Sequence, residues 1–155
     1  MKKIFPIIIS ILIAQAAGFI GAIFTFSSVD TWYLTLNTPS WNPPSWVFGP
    51  VWTTLYTLIG ISAYLIWRNK DKIKKKLALQ VYGIHLVFNA LWTILFFGLK
   101  NPGFAFAEIL ILLSLIITTI VLFWRIDKRA SYLLLPYLGW VTFASYLNFT
   151  IWQLN

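Results

Sequence analysis

The sequence predicts an all-α membrane protein: a bundle of five transmembrane helices in a single domain, residues 1–155, with a long ordered loop between helices 1 and 2. Three observations lead there. First, 59% of the 155 residues are hydrophobic, only 10% are charged and the mean hydropathy is +0.78, whereas a soluble domain carries about a quarter charged residues. Second, five stretches carry at most one charge each, and each is near the roughly 20 residues that cross a hydrocarbon core. Third, the basic residues gather on alternate connections, which is the signal that orients a membrane protein.

The spans follow in order. Residues 4–26 carry no charge. Lys2-Lys3, the apolar run and Ala14-Gln15-Ala16 imitate a cleavable signal peptide, but the run continues to Phe26, so an uncleaved first helix is expected. It shows Ala14, Ala17, Gly18, Gly21 and Ala22, small residues that allow close helix approach, either within the bundle or at a dimer face. Residues 46–67 and 77–99 are uncharged, residues 104–124 contain only Glu108, and residues 130–154 are uncharged. Irregular backbone cannot face lipid, so all five must be helices.

The connections differ in kind. Residues 27–45 contain Asn37-Thr38-Pro39-Ser40 and Asn42-Pro43-Pro44-Ser45, turn signals that forbid one continuous helix. Trp32, Tyr33 and Trp41 in that loop predict an ordered cap. Residues 68–76 and 125–129 are short and basic, and Lys100-Asn101-Pro102-Gly103 is a tight turn. The N-terminus, second loop and fourth loop share one side and hold eleven of the twelve basic residues. That predicts a cytoplasmic N-terminus and an external C-terminus. The basic residues read as topology anchors near anionic lipid. No nucleic-acid partner is expected, because no basic helix face is free for phosphates.

Chemistry is sparse. There is no cysteine, which excludes disulfides, thiolate nucleophiles and thiolate metal sites. With one histidine, His85, a multi-histidine metal site is excluded, and no metal is expected. No triad, carboxylate pair, P-loop or dinucleotide fingerprint occurs. His85 is either a hydrogen-bonded core residue or an axial haem ligand. Glu108 is either functional, as intramembrane acids often are, or hydrogen-bonded to a neighbouring helix or loop; the second is expected.

Aromatic residues dominate, with nine Trp, seven Tyr and thirteen Phe. Trp32, Trp41, Trp46, Trp67, Trp124 and Trp152 fit interfacial belts. Trp52, Trp92 and Trp140 lie inside spans and fall on helical stripes. Trp52 and Tyr56 are one turn apart. His85, Asn89, Trp92 and Phe96 share a face, as do Pro136, Trp140, Phe143, Ala144, Leu147 and Asn148. These faces make either a packed aromatic core or a cavity for a flat hydrophobic ligand, with Ala144 leaving the space.

The string from Trp41 to Tyr56, Trp-Asn-Pro-Pro-Ser-Trp-Val-Phe-Gly-Pro-Val-Trp-Thr-Thr-Leu-Tyr, resembles the signature of the translocator protein family, also called tryptophan-rich sensory proteins or peripheral benzodiazepine receptors. The resemblance continues through Asn89-Ala-Leu-Trp92, Phe96-Phe97, Glu108, Pro136-Tyr137, Trp140, Phe143-Ala144 and Leu147-Asn148, across all five spans. The Lys-rich second loop, lack of cysteine and short length suggest a bacterial member and a bacterial cell membrane. The resemblance implies a five-helix bundle, often a homodimer, with a ligand cavity beneath the first loop. It implies porphyrins or haem as ligands, with no required cofactor, and isoquinoline carboxamide-type drugs as further ligands. The matching pocket positions are Tyr33, Trp52, Tyr56, Asn89, Trp92, Phe96, Trp140, Phe143, Ala144 and Leu147. The sterol motif of animal members is broken here: Phe149 stands at its tyrosine position, and no Lys or Arg follows, so sterol binding there is not expected.

Two functions of different class follow. One is a binding or transport module for tetrapyrroles, with propionates meeting donors such as Asn89 or loop backbone. The other is an enzyme for light- and oxygen-dependent porphyrin degradation, in which Trp52 and Trp140 pass electrons. A regulator acting through a protein partner is a third reading. A small multidrug exporter fits poorly, because the acid lies in the fourth of five spans.

Overall fold

The computed structural model describes residues 4–155; Lys2 and Lys3, part of the charge argument, lie outside the described residues. Five helices run in sequence: α1 (Ile4–Ser28), α2 (Ser45–Trp67), α3 (Lys72–Thr93), α4 (Pro102–Trp124) and α5 (Lys128–Leu154). No strand occurs among the described residues. Four helices, α1 to α4, are long and apolar enough to cross a membrane. The fifth, with 27 residues, has ample length at roughly 1.5 Å per residue, but Ser131, Tyr137, Ser145 and Asn148 dilute its apolar character. All four are buried, so these polar groups point into protein.

Each of three helices begins where the chain supplies a cap. Asp71 accepts a hydrogen bond from the Lys74 N–H, Asn101 from the Phe104 N–H and Asp127 from the Arg129 N–H, each satisfying a donor that a helix start leaves orphaned. That bond holds the Asp71 carboxyl below the usual aspartate range. The Asp71 cap also starts α3 at Lys72, inside the stretch read from sequence as a basic loop. At its other end α3 widens into a π-helical segment, Ile94–Gly98, with the Leu99 N–H bonded to the Ile94 carbonyl at 2.8 Å. Such a segment inserts one residue into the helical phase.

α1 lies against α2 and α3, and α4 packs on α3 and α5. α1 and α2 approach closely at Gly60, where any Cβ would strike the Ile11 backbone; there Ser10 Oγ donates to the Gly60 carbonyl at 2.8 Å. Deeper in the bundle, the fully buried Ser62 hydroxyl donates to the Ala130 carbonyl at 2.7 Å, joining α2 to α5. The core between these helices is built on Ile59, Ile66, Ile109, Leu112, Ile116, Phe123 and Tyr137. Outward, α1 alone exposes Phe5, Leu12, Ile13, Phe19, Ile23 and Phe26, an apolar surface that suits lipid and not water.

Nine of the ten described basic residues sit at one end of the bundle, on or beside the α2–α3 and α4–α5 connections, and Lys100 alone is at the other. Exposed Trp67 and Trp124 mark the basic end, and exposed Trp41, Trp46 and Trp152 the opposite one, as interfacial belts do. The α1–α2 loop folds over this second end as a cap. A short 3-10 turn, Tyr33–Thr35, packs Trp32 and Tyr33 onto Phe96 and Phe97. Trp41 stacks on Tyr146 with centroids 5.1 Å apart. The cap is tied to the end of α5 by an amide exchange: the Asn37 N–H donates to Asn155 Oδ1 at 2.9 Å, and Asn155 Nδ2 donates to the Asn37 carbonyl at 3.0 Å.

Candidate functional site

Beneath the cap lies a cavity of about 470 Å³, walled by α1, α2, the outer end of α3 and α5. Eight of the ten positions singled out from sequence are on its wall: Tyr33, Trp52, Tyr56, Trp92, Phe96, Trp140, Ala144 and Leu147. Each arrives by a distinct route. Tyr33 comes down from the 3-10 turn, buried, with its hydroxyl donating to Asn42 Oδ1 at 2.9 Å; burial pushes that phenol up from its ordinary pKa. Trp52 and Tyr56 stack one helical turn apart on α2, centroids 5.4 Å. Trp92 stacks on Phe96 at 5.2 Å across the start of the π segment, and that segment also brings Phe97 to the wall. Trp140 is held between Phe48 at 6.1 Å and Phe143 at 5.4 Å.

Two expected positions are not on the wall. Asn89 sits one layer behind it, buried, accepting from the Tyr56 hydroxyl and donating through Nδ2 to the Tyr137 hydroxyl at 2.9 Å. Its Oδ1 and Nδ2 each bond a tyrosine hydroxyl, so this amide faces protein one layer behind the cavity. Phe143 is turned toward the cap, where it packs edge-on against Trp41 at 5.9 Å. Asn148, grouped with the α5 stripe, does reach the wall, but its amide is also committed: Oδ1 accepts from Trp92 Nε1 at 3.0 Å and Nδ2 donates to the Pro102 carbonyl at 2.8 Å.

The sequence reading missed most of one wall. Gln15, Gly18, Gly21, Ala22 and Thr25 of α1 line the cavity. Their small size was the available signal. Gly18 faces the Tyr56 ring and Gly21 faces Thr93, so these two glycines pack inside the bundle. Gln15 donates through Nε2 to the Thr53 carbonyl at 3.0 Å and to Thr57 Oγ1 at 3.1 Å, fixing α1 to α2 at the cavity's inner edge.

The two ionisable candidates lie away from the cavity. His85 is buried, its Nδ1 meeting the Tyr82 carbonyl at 2.7 Å, with the Tyr137 ring 5.6 Å away. A carbonyl partner requires Nδ1 to carry the proton. Glu108 is also buried, and neither of its carboxylate oxygens has a hydrogen-bond partner among the described residues, in place of the interhelical bond expected. No cluster of three or more His, Asp or Glu is found among the described residues.

An apolar helix bundle with a concave aromatic cavity under an ordered loop defines a helical membrane protein with an internal cavity. Comparison with known proteins gives the particular group. Residues 10–153 match the TspO/MBR family, and the chain belongs to that family. It is 47% identical to the tryptophan-rich protein TspO of Archaeoglobus fulgidus, covering 99% of both chains. It is 40% identical to the tryptophan-rich sensory protein of Cereibacter sphaeroides over 81% of this chain and 78% of that one. It is 35% identical to the translocator protein of Bos taurus over 93% of this chain and 86% of that one.

Proposed function

We propose that this chain binds a porphyrin or haem precursor in the capped cavity and serves its transport or the sensing of stress through it. The observation that supports this best is the wall itself: Trp52, Trp92, Phe96 and Trp140 surround about 470 Å³, within the roughly 300–1,000 Å³ of small-molecule sites. Flat macrocycles stack on such faces, and isoquinoline carboxamide-type drugs are flat enough to use the same space. No further cofactor is required.

The same reading places five spans in a bacterial cell membrane, with α5 as the fifth. The N-terminus is cytoplasmic and the C-terminus external, because the basic end belongs inside. Assembly as a homodimer is part of the proposal and is read out as the molar mass of the protein in its particle, after subtraction of bound detergent.

A second reading has one observation in its favour. Trp52 and Trp140 line the same cavity, and Trp52 stacks on Tyr56, so a photoexcited porphyrin held there would have oxidisable rings in contact. The protein would then degrade porphyrin in light and oxygen.

The test titrates protoporphyrin in the dark, following Trp fluorescence and the porphyrin band, in wild type, Trp52→Phe and Trp140→Phe. Aromatic contacts contribute about 0.5–1.5 kcal/mol each, so each substitution should weaken saturable binding by roughly twofold to tenfold. Unsaturable binding, indifferent to both, would remove the proposal. Illumination in air then separates binder from enzyme, through the survival or loss of the porphyrin spectrum.

A further inference from the structure

The cavity is as notable for its charge as for its rings. Among the described residues that line it there is no Asp, Glu, Lys, Arg or His. The buried His85 and Glu108 are not on the wall, and its ionisable members, Tyr33 and Tyr56, are phenols that are neutral at ordinary pH. Its amides are already engaged: Gln15 donates to α2, and Asn148 is bonded on both sides. Among the described residues, the indole N–H of Trp92 is taken by Asn148, while those of Trp52 and Trp140 have no protein partner. The donors left for a ligand are therefore neutral, and few.

The cavity also reaches the surface on one side. Its exposed members, Phe19, Phe26, Ser45, Gly49 and Thr53, all belong to α1 and α2, two helices apolar enough to span a membrane. The mouth between them opens toward hydrocarbon. An ionised group inside such a site gives up its water and finds no counter-ion, and burial of an unpaired charge is among the costliest events in a protein. A neutral acceptor, by contrast, needs only a free indole N–H.

We infer that this cavity selects its ligand by charge, taking uncharged flat aromatic molecules from the lipid and discriminating against the same skeleton when it carries a carboxylate. The inference rests on the tetrapyrrole reading only for the identity of the skeleton. Under it, a porphyrin bound in the cavity is held as a neutral species or keeps its propionates outside the mouth.

The experiment uses the full chain in phosphatidylcholine nanodiscs at pH 8, where free carboxylic acids are ionised. Two matched pairs are titrated: protoporphyrin and its dimethyl ester, and pyrenebutanoic acid and its primary amide. Partition into empty nanodiscs is subtracted, and Trp140→Phe reports that binding is in the cavity. The neutral member of each pair should bind at least roughly tenfold tighter, in line with the cost of an unpaired buried charge. Equal or tighter binding of the acid in either pair overturns the inference. If neither porphyrin saturates while the pyrene amide binds and its acid does not, the tetrapyrrole reading falls and the charge rule stands. If no member of either pair saturates, both fall.

Discussion

Asn89 illustrates what a residue's neighbours decide and its sequence position does not. The helical stripe correctly put it on the face shared with Trp92 and Phe96, but whether it meets ligand or protein depends on Tyr56 and Tyr137, which come from two other helices. Asn89→Leu strands two phenol hydroxyls, and each buried unsatisfied group costs about 1–3 kcal/mol. We expect a clear fall in the thermal midpoint with a smaller change in ligand affinity than Trp140→Phe produces. An Asn89→Leu variant of undiminished stability whose affinity collapses would put this amide in the site after all. Trp92 and Trp140 were readable as inward because large aromatic residues in mid-span have few other uses. Glu108 was readable as unusual, but not as lacking a partner.

At the scale of elements, five charge-poor stretches sufficed to find five helices, with the largest boundary shifts at the two ends of α3, where a cap and a π segment intervene. The Asp71 cap moved the start of α3 forward to Lys72. The π segment at Ile94–Gly98 was not legible, because one inserted residue leaves no mark on an all-apolar run. The α1 wall was hidden for a related reason: Gly and Ala at close spacing fit interior packing and dimer faces equally. Gly60 is where that packing can be tested. A methyl group there must displace the backbone of Ile11, and overpacking costs about 1–3 kcal/mol. Gly60→Ala should lower the thermal midpoint, whereas Gly139→Ala, with nothing near its Cβ direction, should leave it nearly unchanged. Equal effects at both positions would mean that α1 does not dock at Gly60.

For the whole molecule, the cap is the part whose order depends on distant sequence. Asn37 and Asn155 are 118 residues apart, and nothing local to either predicts their bond. Asn155→Ala removes three side-chain hydrogen bonds, two to Asn37 and one to the Ile151 carbonyl. The remaining contacts, Tyr33 on Phe97 and Trp41 on Tyr146, should keep the cap folded. Because the ligand's route is the mouth between α1 and α2, its dissociation rate should change by less than about twofold, and the thermal midpoint of the empty protein should move little. An off-rate quickened by roughly fivefold to tenfold, the value of about 1 kcal/mol of lost hydrogen bonding, would mean that the ligand leaves past the cap and not through the mouth.

The mouth between α1 and α2 decides which phase supplies the site. A guest that arrives through hydrocarbon is counted in moles per mole of lipid, and the aqueous concentration enters only through partitioning. Diluting the protein with extra phospholipid at fixed total ligand should then empty the cavity, even though no competitor has been added and the volume of water has not changed. Plotted against ligand per lipid, curves taken at different lipid loads should collapse onto one line; plotted against ligand per volume of buffer, they should not.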